Sequence, residues 1–125
     1  MKLKLLIIGC ILFCASIANA YTAVVTWNAL PVKPTGYYVY YDIQPNVPLK
    51  GIGITQGSSP ITVTTNTITL TNMLATKSYS IAIAGYYVKT TTLPLIIGPL
   101  STIVTIPILP TATTSTTITI TITNP

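Results

Sequence analysis

Beyond residue 20 the apolar positions of the chain recur with a period of two. Residues 21–27 put Ala23, Val25 and Trp27 on one side of an extended backbone. Residues 37–43 alternate Tyr37, Val39 and Tyr41 against Tyr38, Tyr40 and Asp42. Ile61 with Val63, and Ile68 with Leu70, mark two shorter runs, and Tyr79, Ile81 and Ile83 alternate with Ser80, Ala82 and Ala84. A last run over residues 101–108 turns Val104 and Ile106 to the same side, with Pro107 expected at a strand end or edge, where its missing N–H does no harm. Such alternation in Thr, Ile, Val and Tyr is the signature of half-buried strands on a pleated surface. Turn clusters at 31–36, 45–48, 51–53 and 57–60 separate the runs, and helix signals are nearly absent. The pattern predicts an all-β sandwich or barrel.

The first twenty residues have a different character. Lys2 and Lys4 precede an apolar run over 5–17, and Ala18-Asn19-Ala20 supplies the small residues a signal peptidase reads. This predicts a signal peptide over 1–20 and a secreted or cell-surface protein. Ile7-Ile8-Gly9-Cys10 also resembles the box before a lipid-modified cysteine, so the membrane enters this reading through the leader or through lipidation at Cys10. Cys10 and Cys14 are the two cysteines of the sequence and both lie in the leader. The processed chain is therefore expected to hold together without disulfides, although its route permits them.

Charge is sparse. After residue 20, Lys33, Lys50, Lys77 and Lys89 stand against Asp42, a side-chain balance of +3. Four scattered lysines do not make the clustered basic stripe that nucleic acid requires. Catalysis is excluded on inventory: acid–base work needs positioned titrating groups, and the sequence has no His and one carboxylate side chain. A serine or threonine nucleophile has no base beside it in the sequence, and one Asp cannot make a metal site. No cofactor and no enzyme activity are expected. One covalent reaction stays open, a Lys–Asn isopeptide cross-link with Asp42 as its acid.

The ordered set Trp27, Gly36-Tyr37-Tyr38-Val39-Tyr40-Tyr41, Leu70-Thr71-Asn72-Met73, Tyr79-Ser80-Ile81-Ala82-Ile83 and Gly98-Pro99-Leu100-Ser101 resembles the fibronectin type III pattern. The resemblance covers about residues 21–108. It implies an immunoglobulin-like β-sandwich of about seven strands, with Trp27 in the core on strand B and Met73 six positions before the Tyr79 that opens strand F. It also implies that the Tyr79 hydroxyl bonds back to the backbone as a tyrosine corner. Trp27, Tyr37, Val39, Leu70, Met73, Tyr79, Ile81, Ile83, Val104 and Ile106 are the expected core. Ala75 stands where that family usually has proline, and residues 87–97 are longer and more apolar than its F–G connection. Members of this family serve as spacers and binding modules in surface and secreted proteins. The resemblance thus implies a non-catalytic structural or adhesion module, or a module binding a protein or a carbohydrate.

Three surfaces carry that expectation. Tyr38 and Tyr40, pointing outward from strand C, read either as an aromatic ligand face or as ordinary cross-strand packing. Leu93, Leu95, Ile96 and Ile97 read either as an exposed apolar tip or as extensions of strands F and G. The third is the tail. Residues 109–116 are a Pro/Thr/Ser linker, and 117–125 open with seven alternating Thr and Ile residues, an extra C-terminal strand. Ile118, Ile120 and Ile122 need a partner surface. An edge of the same domain, an edge of a neighbouring copy by strand addition, and a following domain are all open to them.

Overall fold

The computed structural model describes residues 20–88, 95–109 and 117–122, the last as backbone pairing. The leader before residue 20, Cys10, Leu93 and residues 110–116 of the linker lie outside the described residues. Eight strands and no helix occur among the described residues: β1 (Ala20–Trp27), β2 (Gly36–Ile43), β3 (Ile61–Val63), β4 (Thr67–Leu74), β5 (Tyr79–Tyr87), β6 (Ile96–Ile97), β7 (Val104–Ile106) and β8 (Thr117–Ile122).

They form two sheets. One has the order β4-β1-β8; the other runs β3-β2-β5-β6, with β7 also on β5. Period-two patterning gives β1, β2 and β4 one buried face each. Tyr21, Ala23, Val25 and Trp27 of β1 meet Tyr37, Val39 and Tyr41 of β2 and Tyr79, Ile81 and Ile83 of β5 in one core cluster. Leu70, Met73 and Ile106 also belong to it, with Ile54, Ile61, Ile68 and Ala75, and Val104 packs partly buried at its margin. The Trp27 and Tyr37 rings meet edge to face at 5.2 Å between centroids, joining the two sheets through one contact. Aromatic pairs of this kind add roughly 0.5–1.5 kcal/mol beyond the area they bury.

Two departures from the sequence reading have simple causes. The last core strand is not continuous over 101–108. Of that span only β7 is strand; β6 lies upstream at residues 96–97, and between the two Gly98 N–H donates to Gly85 O at 2.8 Å and Ser101 N–H to Ile83 O at 2.7 Å. The Ser101 hydroxyl in turn accepts from Ile83 N–H at 2.9 Å, so a side chain stands in for the missing ladder carbonyl. Pro107 follows directly on the end of β7. The second departure is on β5. Its outward residues Ser80, Ala82 and Ala84 are as buried as its inward ones, because these small side chains lie below the level of the neighbouring tyrosines and loops.

A bulge shapes β4. Tyr21 pairs with Met73 but Ala23 with Leu70, so β4 carries one residue more than β1 there. Asn72 takes up the slack at φ 65°, a left-handed conformation that asparagine tolerates better than most residues. The bulge frees Thr71 and Asn72 to hold the β2–β3 loop. Thr71 N–H donates to Gln56 Oε1 at 2.8 Å, and Asn72 Nδ2 donates to Gly53 O at 3.0 Å. These bonds cap the outer edge of β4.

The two tyrosines at the base of the core differ in one respect. The Tyr79 hydroxyl accepts a hydrogen bond from Leu74 N–H at 2.9 Å across the β4–β5 turn. The Tyr21 hydroxyl is buried with no partner. Replacing Tyr79 by Phe strands a backbone N–H and is expected to cost about 1–3 kcal/mol. Tyr21→Phe removes an orphan and is expected to leave the melting temperature unchanged or raise it. Thermal melts of the two variants side by side test the contrast.

Burial pushes the Tyr21 phenol up to about 12, and the nearby Tyr79 adds to the rise. In the unfolded chain a tyrosine ionises near 10. The folded state therefore holds its proton longer, and the stability gained is complete below pH 10 and lost as pH climbs through 12. Melting temperature should fall over pH 10–12 more steeply in the native chain than in Tyr21→Phe.

Candidate functional site

The open side of β1 is the first candidate. β4 occupies one edge of β1 in antiparallel register, and β8 lies parallel along the other. Thr117 pairs with Thr22, and the register runs to Ile122 beside Trp27. Ile118, Ile120 and Ile122 therefore fall level with Ala23, Val25 and Trp27 in the backbone register. Of the three partners open to the tail, the strand lies on an edge of its own domain.

The second candidate is the outer face of the β2–β5 pair. Tyr38 and Tyr40 stand on it, opposite Ala84 and Ala82. Their rings meet edge to face at 6.4 Å, and Tyr38 also stacks on Tyr86 at 4.7 Å with 27° between planes. One face of Tyr38 is therefore already in use, and no flat aromatic platform results. Beside them lies an open trough of about 700 Å³. Tyr40 and Ala84 line it together with two walls, the β2–β3 loop and the segment from β6 to β7. Its wall residues Val47, Ile52, Ile97, Leu100 and Ile103 are all at least 46% exposed. Ile97 belongs to both readings of the sequence: it pairs with Tyr86 as an extension of the sheet and is still half exposed. Leu95 and Ile96 are likewise about half exposed.

Sequence reasoning missed the trough. Val47 and Ile52 sit among prolines and glycines, where a lone apolar residue carries no periodic signal. What places them is a set of ties from the loop to β2. The Ser59 hydroxyl accepts from Tyr41 N–H at 3.1 Å and donates to Leu49 O at 2.7 Å. Gly51 N–H donates to Tyr41 O at 2.8 Å, and the Tyr41 hydroxyl donates to Gly57 O at 2.8 Å. A side chain at Gly51 would meet both the ring and the backbone oxygen of Tyr41 at 2.6 Å, so only glycine fits this approach.

Asp42 serves the same loop. Its carboxylate accepts from Ile43 N–H at 2.7 Å, Lys50 N–H at 3.2 Å and Asn46 Nδ2 at 3.3 Å. These bonds tie a turn. The neighbouring Asn46 and Lys50 are exposed, unlike the dry setting an isopeptide-forming Lys–Asn pair needs. Among the described residues no cluster of metal-ligating side chains is present. The arrangement offers surfaces for association: an edge that accepts a strand, and an aliphatic trough better matched to apolar chain than to sugar hydroxyls.

No protein-family model, curated protein or solved structure matches the chain.

Ser59→Ala removes the hydroxyl's tie to Tyr41 N–H on β2 and its tie to Leu49 O within the loop, while leaving the Gly51 and Gly57 bonds to Tyr41 in place. A loss of about 1–3 kcal/mol is expected from the stranded Tyr41 N–H and Leu49 C=O. Hydrogen exchange should show faster exchange at Tyr41, with β1 and β4 unaffected.

Proposed function

We propose that this protein is a non-catalytic structural or adhesion module of the cell surface or extracellular space, fibronectin type III-like in fold, whose C-terminal strand is its assembly element. The carrying observation is the parallel seat of β8 on the open edge of β1. In immunoglobulin-like sandwiches the place beside strand B, opposite strand E, belongs to the first strand of the domain. Here the expected processed chain begins at Tyr21, already inside β1, and the strand in that place comes from the other end of the sequence. A strand joined through a linker is separable from the domain it completes, and the same seat accepts the identical strand of another copy.

Several observations support the fold assignment. Trp27 is buried on the strand corresponding to B, and the Tyr79 hydroxyl bonds back to Leu74 at the turn into β5. The pairings β1 with β4 and β2 with β5 correspond to B with E and C with F. The leader and the absence of cysteine beyond it support export of a domain stabilised by packing.

A second reading, a monomeric module binding a protein or a carbohydrate, is favoured by one observation: five exposed aliphatic side chains converge on a single trough. The aliphatic walls weight this reading towards protein.

Light scattering on size-separated samples of the full chain and of a chain ending at Leu109 distinguishes the two. The assembly reading expects concentration-dependent oligomers of the full chain that the shortened chain does not form. If both stay monomeric at every concentration, assembly through the tail is wrong. Ile52→Ser with Leu100→Ser would then be compared with the native chain for partner capture.

A further inference from the structure

The place where the tail leaves the domain limits what it can build. β1 starts at the pole that holds Ala20, Leu74 and Ala75, since Ala20 pairs with Leu74. β7 ends at the same pole, because Ile106 pairs with Tyr79, whose hydroxyl holds Leu74 N–H. Leu109 N–H then donates to Ala75 O at 2.9 Å, fixing the chain there just before the linker. β8 begins beside Thr22 and ends beside Trp27, so it enters its seat from this pole as well. Exit and mouth of the seat are at one end of the molecule.

A strand passed between copies to build a linear filament needs the opposite: it must leave at one pole and be received at the other. Seven residues separate Leu109 from Thr117, so the linker spans at most roughly 26–29 Å from Cα to Cα. A donor's exit pole must therefore lie close to the acceptor's mouth pole. The acceptor's own tail then emerges beside the donor's vacated seat.

We infer that exchange of β8 between copies is reciprocal and closes on a two-fold axis, giving a pole-to-pole dimer and no open polymer. This rests on the assembly role of β8 proposed above and says which assembly it makes. The contacts of β8 with β1 are the same within one copy and between two. Their balance is set by the linker. β8 lies two strand spacings from β4, about 10 Å, so the linker closes within one copy with slack. A short linker gives an effective concentration on the order of millimolar. Closure within one copy therefore dominates in dilute solution, and exchange takes over at high protein concentration or when the linker is shortened.

The test uses the full chain with Cys10→Ser and Cys14→Ser and one new pair, Val24→Cys with Thr119→Cys. These positions are partners in the β1–β8 backbone register. Samples are equilibrated over a range of concentrations, oxidised and separated under denaturing, non-reducing conditions. A second variant adds deletion of residues 111–116, leaving a reach of about 7 Å, short of the roughly 10 Å that closure within one copy needs, and the undeleted chain at high concentration gives the same readout should that variant not fold. The expected result is an internally bridged single chain in dilute solution and a covalent species of two chains that grows in proportion to concentration, dominates in the deletion variant and does not extend further. A ladder of three, four and more linked chains overturns the two-fold closure while leaving strand exchange in place. Internal bridges alone, at every concentration and in both variants, overturn the inference together with the assembly role of the tail.

Discussion

A strand in the middle of a sheet needs partners on both edges, and β1 is both the middle of its sheet and the start of the expected processed chain. One edge is satisfied by β4, through a bulge that Asn72 makes possible. The other is satisfied only by β8, from the far end of the sequence. An unfilled β1 edge would leave backbone groups unpaired beside Ala23, Val25 and Trp27, which anchor the core. The organisation of the molecule follows from that requirement. The β1 sheet is completed by a strand that comes after the rest of the described fold in sequence.

The rest of the structure shows how such a domain is held together with almost no charge. Packing between the sheets centres on Trp27 and Tyr37, and hydroxyls take over tasks that backbone or carboxylates fill elsewhere. Ser101 stands in for ladder pairing between β6 and β7, Ser59 pins a loop to β2, and Tyr79 closes a turn. Asp42, the one carboxylate side chain, is spent on backbone N–H groups of a turn. Hydroxyl and amide ties of this kind do not titrate between about pH 5 and 9. The conspicuous pH-sensitive group of the core is Tyr21, at the alkaline end.

The proposed self-association and ligand capture would draw on different parts of this surface. β8 lies in the sheet containing β1, whereas the aliphatic trough lies on the outer face of the other sheet. A tail-linked dimer would thus leave both troughs open, and the two readings of the protein are compatible as well as competing. Val47 and Ile52 reach the trough wall because the loop carrying them is fastened to Tyr41 from both sides.

The alternation of apolar residues by itself determined which faces are buried. Trp27, Tyr37, Val39, Tyr79, Ile81 and Ile83 turn inward because a period of two leaves an extended chain no other way to collect them. It likewise set Ile118, Ile120 and Ile122 on one side of the tail. What it does not encode is the identity or direction of a strand's neighbour, since every strand of this pattern offers the same ladder of N–H and C=O groups. Only the tertiary structure decided that β8 lies parallel to β1, that the last core strand is shortened to β7, and that Ser80, Ala82 and Ala84 are covered although they face outward. It also decided that the exit of the tail and the mouth of its seat share one pole. That relation depends on where β4, β5 and β7 end in space, a property of the assembled sheets and of no single stretch of sequence.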